Sequence, residues 1–202
     1  LALACYYRIG TRKTQFRFPE TSIGIFPGLG GTQRPARIAG LPIARWAVLA
    51  GNFMDAKTAS DLGLVTNLVE VTEVDATISS LDSQGKPANK YPAMPAKPDS
   101  KVAIFAEKFY NDANLESILA GNCPEGFDME DKLVARQMKS LSRTAPIALR
   151  MASELISAAG ETNLPEGLAK ELSGLETIFS TDDALEGLSA LIEGRKPTYQ
   201  NS

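Results

Sequence analysis

Acid–base chemistry in this chain falls to carboxylates. Its 202 residues include no histidine, which removes Ser-His and Cys-His nucleophilic arrangements and the imidazole ligands of the usual zinc sites. Among the acids Glu20 stands apart, because it follows Pro19 inside the run from Phe16 to Arg34. Pro19 fixes a backbone angle just before the acid, and Phe16, Phe18, Ile23, Ile25 and Phe26 surround it with apolar material. Burial of this kind disfavours the charged form, so the expectation is a Glu20 carboxyl with a raised pKa, able to exchange a proton near neutral pH.

The second half of the same run is a glycine cluster, Gly28, Gly30 and Gly31, opening into a helix at Thr32. Free amides at a helix start attract negative charge or orient a polar reactant. The cluster is not a phosphate loop, since no Gly-Lys-Ser/Thr follows, and it lacks the third glycine of a dinucleotide fingerprint. What the residues alone predict is an acid beside a loop that offers backbone donors.

Taken whole, the string resembles the signature of the crotonase (enoyl-CoA hydratase/isomerase) superfamily. Its pieces stand in order as Leu1 to Cys5, Tyr6 to Gly10, Phe16 to Glu20, Ile23-Gly24, Pro27 to Arg34, Ala56 to Ala59 and Gly63-Leu64-Val65. The resemblance resumes at Thr181 to Gly187 and at Glu193 to Pro197. It implies an α/β fold of the crotonase type, a spiral ββα core followed by a C-terminal helical subdomain. It also implies that this chain is the C-terminal portion of such a unit. The upstream half, with a second catalytic glutamate one residue before Leu1 and the oxyanion-hole amides, is expected as a partner.

The function implied is hydration of a trans-2-enoyl-CoA of the fatty-acid β-oxidation type, with the tail of a multifunctional 3-hydroxyacyl-CoA dehydrogenase/enoyl-CoA hydratase as one setting for it. Glu20 transfers a proton and positions water. Gly28 binds that water through its amide, Ile23, Ile25, Phe26 and Leu29 wall the acyl pocket, and Arg195 and Lys196 reach CoA, often of a neighbouring subunit. No cofactor beyond the CoA thioester of the substrate is expected, and the resemblance implies a homotrimer or hexamer. An enoyl-CoA isomerase, a 3-hydroxyacyl-CoA thioester hydrolase and a non-catalytic assembly piece remain alternatives. The glycine at position 28 favours hydratase over hydrolase, which often places an acid after that proline.

Bulk properties fit a packed protein, with 44% apolar residues and a net charge of −3. The acidic balance argues against a nucleic-acid footprint, and no apolar run reaches membrane-spanning length. Cys5 and Cys123 form neither a metal spacing nor a disulfide framework, so a reducing cytoplasm is the expected setting.

Three regions position these residues: a core portion over 1–75, a Pro/Lys-rich linker or insertion over 76–100, and a helical subdomain over 101–202. Short strands are expected at Tyr6 to Ile9, Gln15 to Phe18 and Val65 to Val69. Helices are expected at Thr32 to Ile38, Pro42 to Leu49, Asp55 to Leu62 and Thr72 to Leu81, with Trp46 in the core. Lys86, Lys90 and Lys97 read as solvated linker charges. Beyond Ser100, apolar residues recur at helical spacing in stripes such as Val102, Phe105, Ala106, Phe109 and Leu164, Leu168, Leu172, Leu175, Phe179. Thr144 and Thr181 read as helix caps.

Overall fold

The structure, a computed structural model, describes residues 1–87 and 96–202. Lys90, Pro92 and Pro95 of the expected linker lie outside the described residues.

The chain starts with a 3₁₀ turn at Ala2–Ala4, followed by β1 (Ile9–Gly10) and β2 (Gln15–Phe16). A second 3₁₀ turn, Glu20–Ile23, carries the acid and ends at Gly24, whose φ of +85° suits a residue without a side chain. Then come α1 (Gln33–Ala39), with Pro35 in its first turn, and α2 (Leu41–Val48), separated by Gly40. Next are β3 (Met54–Asp55), α3 (Ala56–Asp61), β4 (Asn67–Leu68) and α4 (Val74–Gln84). The Asp55 side chain caps α3 by accepting from the Thr58 amide.

Every expected strand is shorter in the structure. β1 pairs with β4 in parallel through Ile9 with Asn67 and Gly10 with Leu68, and β2 pairs with β3 antiparallel through Gln15 with Asp55 and Phe16 with Met54. Two-residue pairings leave Tyr6 to Arg8 and Phe18 outside regular strands. The reason is a shortage of neighbours, since a strand is extended by the ladder beside it and these ribbons have two members each.

The rest is helical: α5 (Lys101–Phe109), α6 (Asp112–Leu119), α7 (Lys132–Leu141), α8 (Pro146–Ala158), α9 (Leu164–Ser173), α10 (Leu175–Phe179) and α11 (Asp182–Glu193). Ser100, Asn111, Asp131, Asn163 and Thr181 cap five of them through side-chain oxygens. Thr144 is not a cap. Its hydroxyl donates back to the Leu141 carbonyl, and α8 starts after Ala145, with Pro146 at its first position. The stripe expected to run from Leu164 to Phe179 breaks at Gly174, where a side chain would press on the buried Phe26 ring.

One hydrophobic core joins these parts, running from Leu3 and Phe26 through α2 to Ile156 and Ile178. Trp46 and its α2 neighbours Ile43, Ala44, Ala47 and Val48 are buried in it, against α1, α5 and α8. Phe105 and Phe109 stack with ring centroids 5.0 Å apart, and Phe127 meets Phe109 edge-on. Arg45, on the same buried α2, is 2% exposed; it donates to the Tyr110 carbonyl and the Ser157 hydroxyl and pairs with Asp112. Helical periodicity marks an apolar face but does not show where such a charge finds partners. Lys97, at the end of the linker, pairs with Asp61 of α3 at 2.7 Å.

Candidate active site

Glu20 begins its 3₁₀ turn directly after Pro19, and the turn is fixed from three sides. The Thr21 hydroxyl donates to the Val48 and Leu49 carbonyls at the end of α2, and the Thr21 carbonyl accepts the Ala145 amide ahead of α8. On the third side the Tyr199 hydroxyl donates to the Ser22 carbonyl at 2.7 Å. Here α11 approaches so closely that a side chain at Gly24 would meet the Asp183 carbonyl and one at Gly187 the Ile23 carbonyl, each at 2.3 Å. The acid therefore stands on rigid backbone.

Glu20 lines a pocket of about 270 Å³ with Leu3, Phe16, Phe18, Pro27, Gly28 and Leu29 among its neighbours. Burial raises its pKa above the ordinary 4.5, outweighing the opposing hydrogen bond to its own backbone and the nearby Arg17. Its Oε2 is buried and finds no hydrogen-bond partner among the described residues. An unsatisfied buried carboxylate oxygen is costly for folding, and such costs are concentrated where chemistry uses the group.

The glycine turn forms the facing wall. Leu29 has φ +56°, a left-handed backbone that a leucine rarely adopts, and its side chain is 81% exposed on the rim. The turn is closed by the Gly31 amide donating to the Gly28 carbonyl, and Arg34 donates to the Leu29 carbonyl. Helix-start donors behave here in a way the sequence reading missed. The Gly30 amide, the Thr32 amide and the Thr32 hydroxyl all donate to Glu171 of α9, at 2.5, 3.1 and 2.6 Å. The negative charge attracted to this loop belongs to the chain itself, so Gly30 and Thr32 are not offered to a reactant. Glu171 is 3% exposed. A lone glutamate on an amphipathic helix ordinarily reads as surface, and the one available signal was its place on the face that must meet the loop.

Of the candidate residues, Glu20, Gly28 and Leu29 share one pocket. Ile25 packs beside the core, Phe26 lies within it, and Ile23 lies under α11 rather than on the pocket wall. Arg195 lies at the end of α11, outside this pocket, where Glu186 holds both of its terminal nitrogens at 2.6 and 2.7 Å and Glu193 accepts from Nε. Lys196 follows it, exposed. Among the described residues no group of three or more His, Cys, Asp or Glu side chains is placed to hold a metal ion, and no helix is long and apolar enough to cross a membrane.

The chain is similar to known proteins. A family model described as enoyl-CoA hydratase/isomerase matches residues 1–202. The chain is 27% identical over 199 residues to a probable mitochondrial enoyl-CoA hydratase 2 of Arabidopsis thaliana, covering 98% of this chain and 48% of that protein. It is 29% identical over 189 residues to a peroxisomal bifunctional enzyme of Danio rerio, covering 91% of this chain and 22% of the relative. The chain thus spans about half the length of the curated relatives it matches, or less. Among solved structures, that of an enoyl-CoA hydratase from Rhodobacter sphaeroides superposes with a TM-score of 0.70 at 24% identity, over 96% of this chain and 56% of that one. That likeness shows the crotonase-type fold, here a helix-rich α/β arrangement with few strands. With a match running from the first residue to the last and the Pro-Glu turn facing its glycine loop, the chain belongs to the enoyl-CoA hydratase/isomerase family.

Proposed function

We propose that this chain carries one acid–base carboxylate of an enoyl-CoA hydratase, working with an upstream segment that supplies a second glutamate and the oxyanion amides. The observation that carries this reading is Glu20 Oε2, buried without a donor among the described residues in a pocket shared with Gly28. In the reaction, an O–H bond of water breaks, its oxygen bonds to the β-carbon of a trans-2-enoyl thioester, and a proton is delivered to the α-carbon. Charge develops meanwhile on the thioester oxygen, where backbone amides stabilise it. A carboxyl with a raised pKa suits the proton transfer, and the Gly28 amide is the group of this chain assigned to the water. Lys196, exposed beyond α11, is assigned to CoA phosphates, with Arg195 held beside it by Glu186.

Two features support the partners. Parallel strands are normally covered on both faces, yet β1 and β4 stand as a pair beside an apolar hollow of about 460 Å³ lined by Tyr6, Tyr7, Ile9, Ile78 and Leu81. An upstream α/β half would extend and cover that pair. Leu172, Phe179, Leu185, Leu191 and Ile192 of α9 to α11 are exposed, a surface suited to a second copy in a homo-oligomer.

The test is hydration of crotonyl-CoA by the chain joined to its upstream segment, with wild type compared with Glu20→Gln and products identified. Formation of the 3-hydroxy thioester, reduced about 10³-fold by the substitution, is the expected result. Release of free CoA or migration of the double bond would replace hydratase with hydrolase or isomerase. Hydration indifferent to Glu20→Gln would remove Glu20 from the mechanism.

A further inference from the structure

The glycine turn opposite Glu20 contains three glycines in four positions, and glycine loses more backbone freedom on ordering than any other residue. Left to itself, such a turn samples many shapes. Its own hydrogen bonds are few: the Gly31 amide donates to the Gly28 carbonyl, the Arg34 amide to the Gly30 carbonyl and the Arg34 guanidinium to the Leu29 carbonyl. A further restraint comes from Glu171, far along the sequence, whose two oxygens take the Gly30 amide, the Thr32 amide and the Thr32 hydroxyl. Bonds to an ionised acceptor are roughly twice as strong as neutral ones, and this acceptor is buried, where water competes poorly. The donors sit on Gly30, directly after Leu29, and on Thr32, so holding them restrains the left-handed Leu29 and, through it, the direction in which Gly28 enters the pocket. Glu171 itself does not line the pocket.

We infer that Glu171 is a positioning residue for the Glu20 chemistry, its carboxylate clamping Gly30 and Thr32 so that Gly28 and Leu29 face Glu20 in one fixed geometry. This rests on the hydratase reading above. Glu171 takes no proton and touches no reacting atom; it acts by removing freedom from a wall whose amide must meet the water. Misplacement of a catalytic wall by about 1 Å costs roughly 10²-fold in rate, which sets the size of the expected effect.

The test uses the active unit of the preceding experiment and three variants. Glu171→Gln keeps the shape and one acceptor oxygen but turns an NH₂ toward the Thr32 donors. Thr32→Val removes the hydroxyl that donates to Glu171 and accepts from Gln33, and Thr32→Ser retains it. Melting temperature, kcat and KM for crotonyl-CoA, and hydrogen exchange at the Gly30 amide are measured together. Glu171→Gln is expected to lower kcat about 10²-fold in folded protein with faster Gly30 exchange. Thr32→Val is expected to lower kcat about tenfold and Thr32→Ser to restore it. A purely structural Glu171 would lower the melting temperature and leave kcat per folded molecule unchanged, and that result in both Glu171→Gln and Thr32→Val overturns the inference. Where Glu171→Gln does not fold, Thr32→Val decides. A wild-type unit without hydration activity sinks the functional reading and this inference with it, whereas wild-type activity unaltered by both variants sinks this inference alone.

Discussion

At the scale of single residues, Glu20 is both the assigned reactive group and a liability to folding. Its pKa is raised in the folded state, so the native protein holds the proton more tightly than the unfolded chain does. The linkage then runs against stability: above pH 4.5 the unfolded chain ionises first and the native state loses ground as pH rises toward the raised pKa. Glu20→Gln carries no charge to desolvate. It is expected to melt higher than wild type at neutral pH, with the gap closing as pH falls below 4.5, while activity is lost. Calorimetry at several pH values checks this, and a variant that melts lower at pH 7 would contradict it. The pocket shared by Glu20, Gly28 and Leu29 was legible because these residue types are uncommon together: an acid after proline, among aromatics, before glycines. Glu171 was not, since a glutamate in a helix is ordinary until the fold shows what it faces. Arg45 was hidden in the same way, its buried charge answered by Tyr110, Ser157 and Asp112 from helices that the sequence does not order in space.

At the scale of elements, α11 is the strut behind the Glu20 turn. Gly187 lets it approach the Ile23 carbonyl, so Gly187→Ala introduces a contact at 2.3 Å against backbone that cannot yield like a side chain. We expect a loss of about 1–3 kcal/mol, as for overpacking elsewhere, together with reduced hydration as the turn is displaced. Chemical denaturation measures the first and an unchanged midpoint would refute it. The far end of α11 carries a different device. Arg195 beside Glu186 holds that carboxyl down to about 2, so the pair contributes stability above pH 4.5 that is lost as pH falls from 4.5 toward about 2. Arg195→Met should flatten the acid-unfolding curve in that window, an effect that shrinks in high salt because the pair is at the surface. Most helix positions were readable from apolar spacing, but of the caps only Thr181 was read, while Ser100, Asn111, Asp131 and Asn163 show as caps only once the helix starts are placed. Strand lengths were not, because a strand's extent depends on the partner beside it.

At the scale of the whole molecule, core residues from both ends of the chain pack together around α2. Trp46, the single tryptophan, reports the amino-terminal part, and far-ultraviolet circular dichroism reports mostly the helices that follow. Because one core joins them, both probes should trace one unfolding transition. Leu49→Ala, at a fully buried position, should move both by about 2–5 kcal/mol together, and separate transitions would mean separable units. The tail enters the same structure: Asp183 accepts the Gln200 and Asn201 amides, and Tyr199 bonds the turn that bears Glu20. The order of synthesis therefore matters to this pocket. Glu20 and its glycines leave the ribosome well before Glu171 and Tyr199, the groups that brace them. A growing chain carries Glu20 while its surroundings are still unbuilt, and chains cut short before Glu171 or Tyr199 keep the signature sequence without the braces that give it shape.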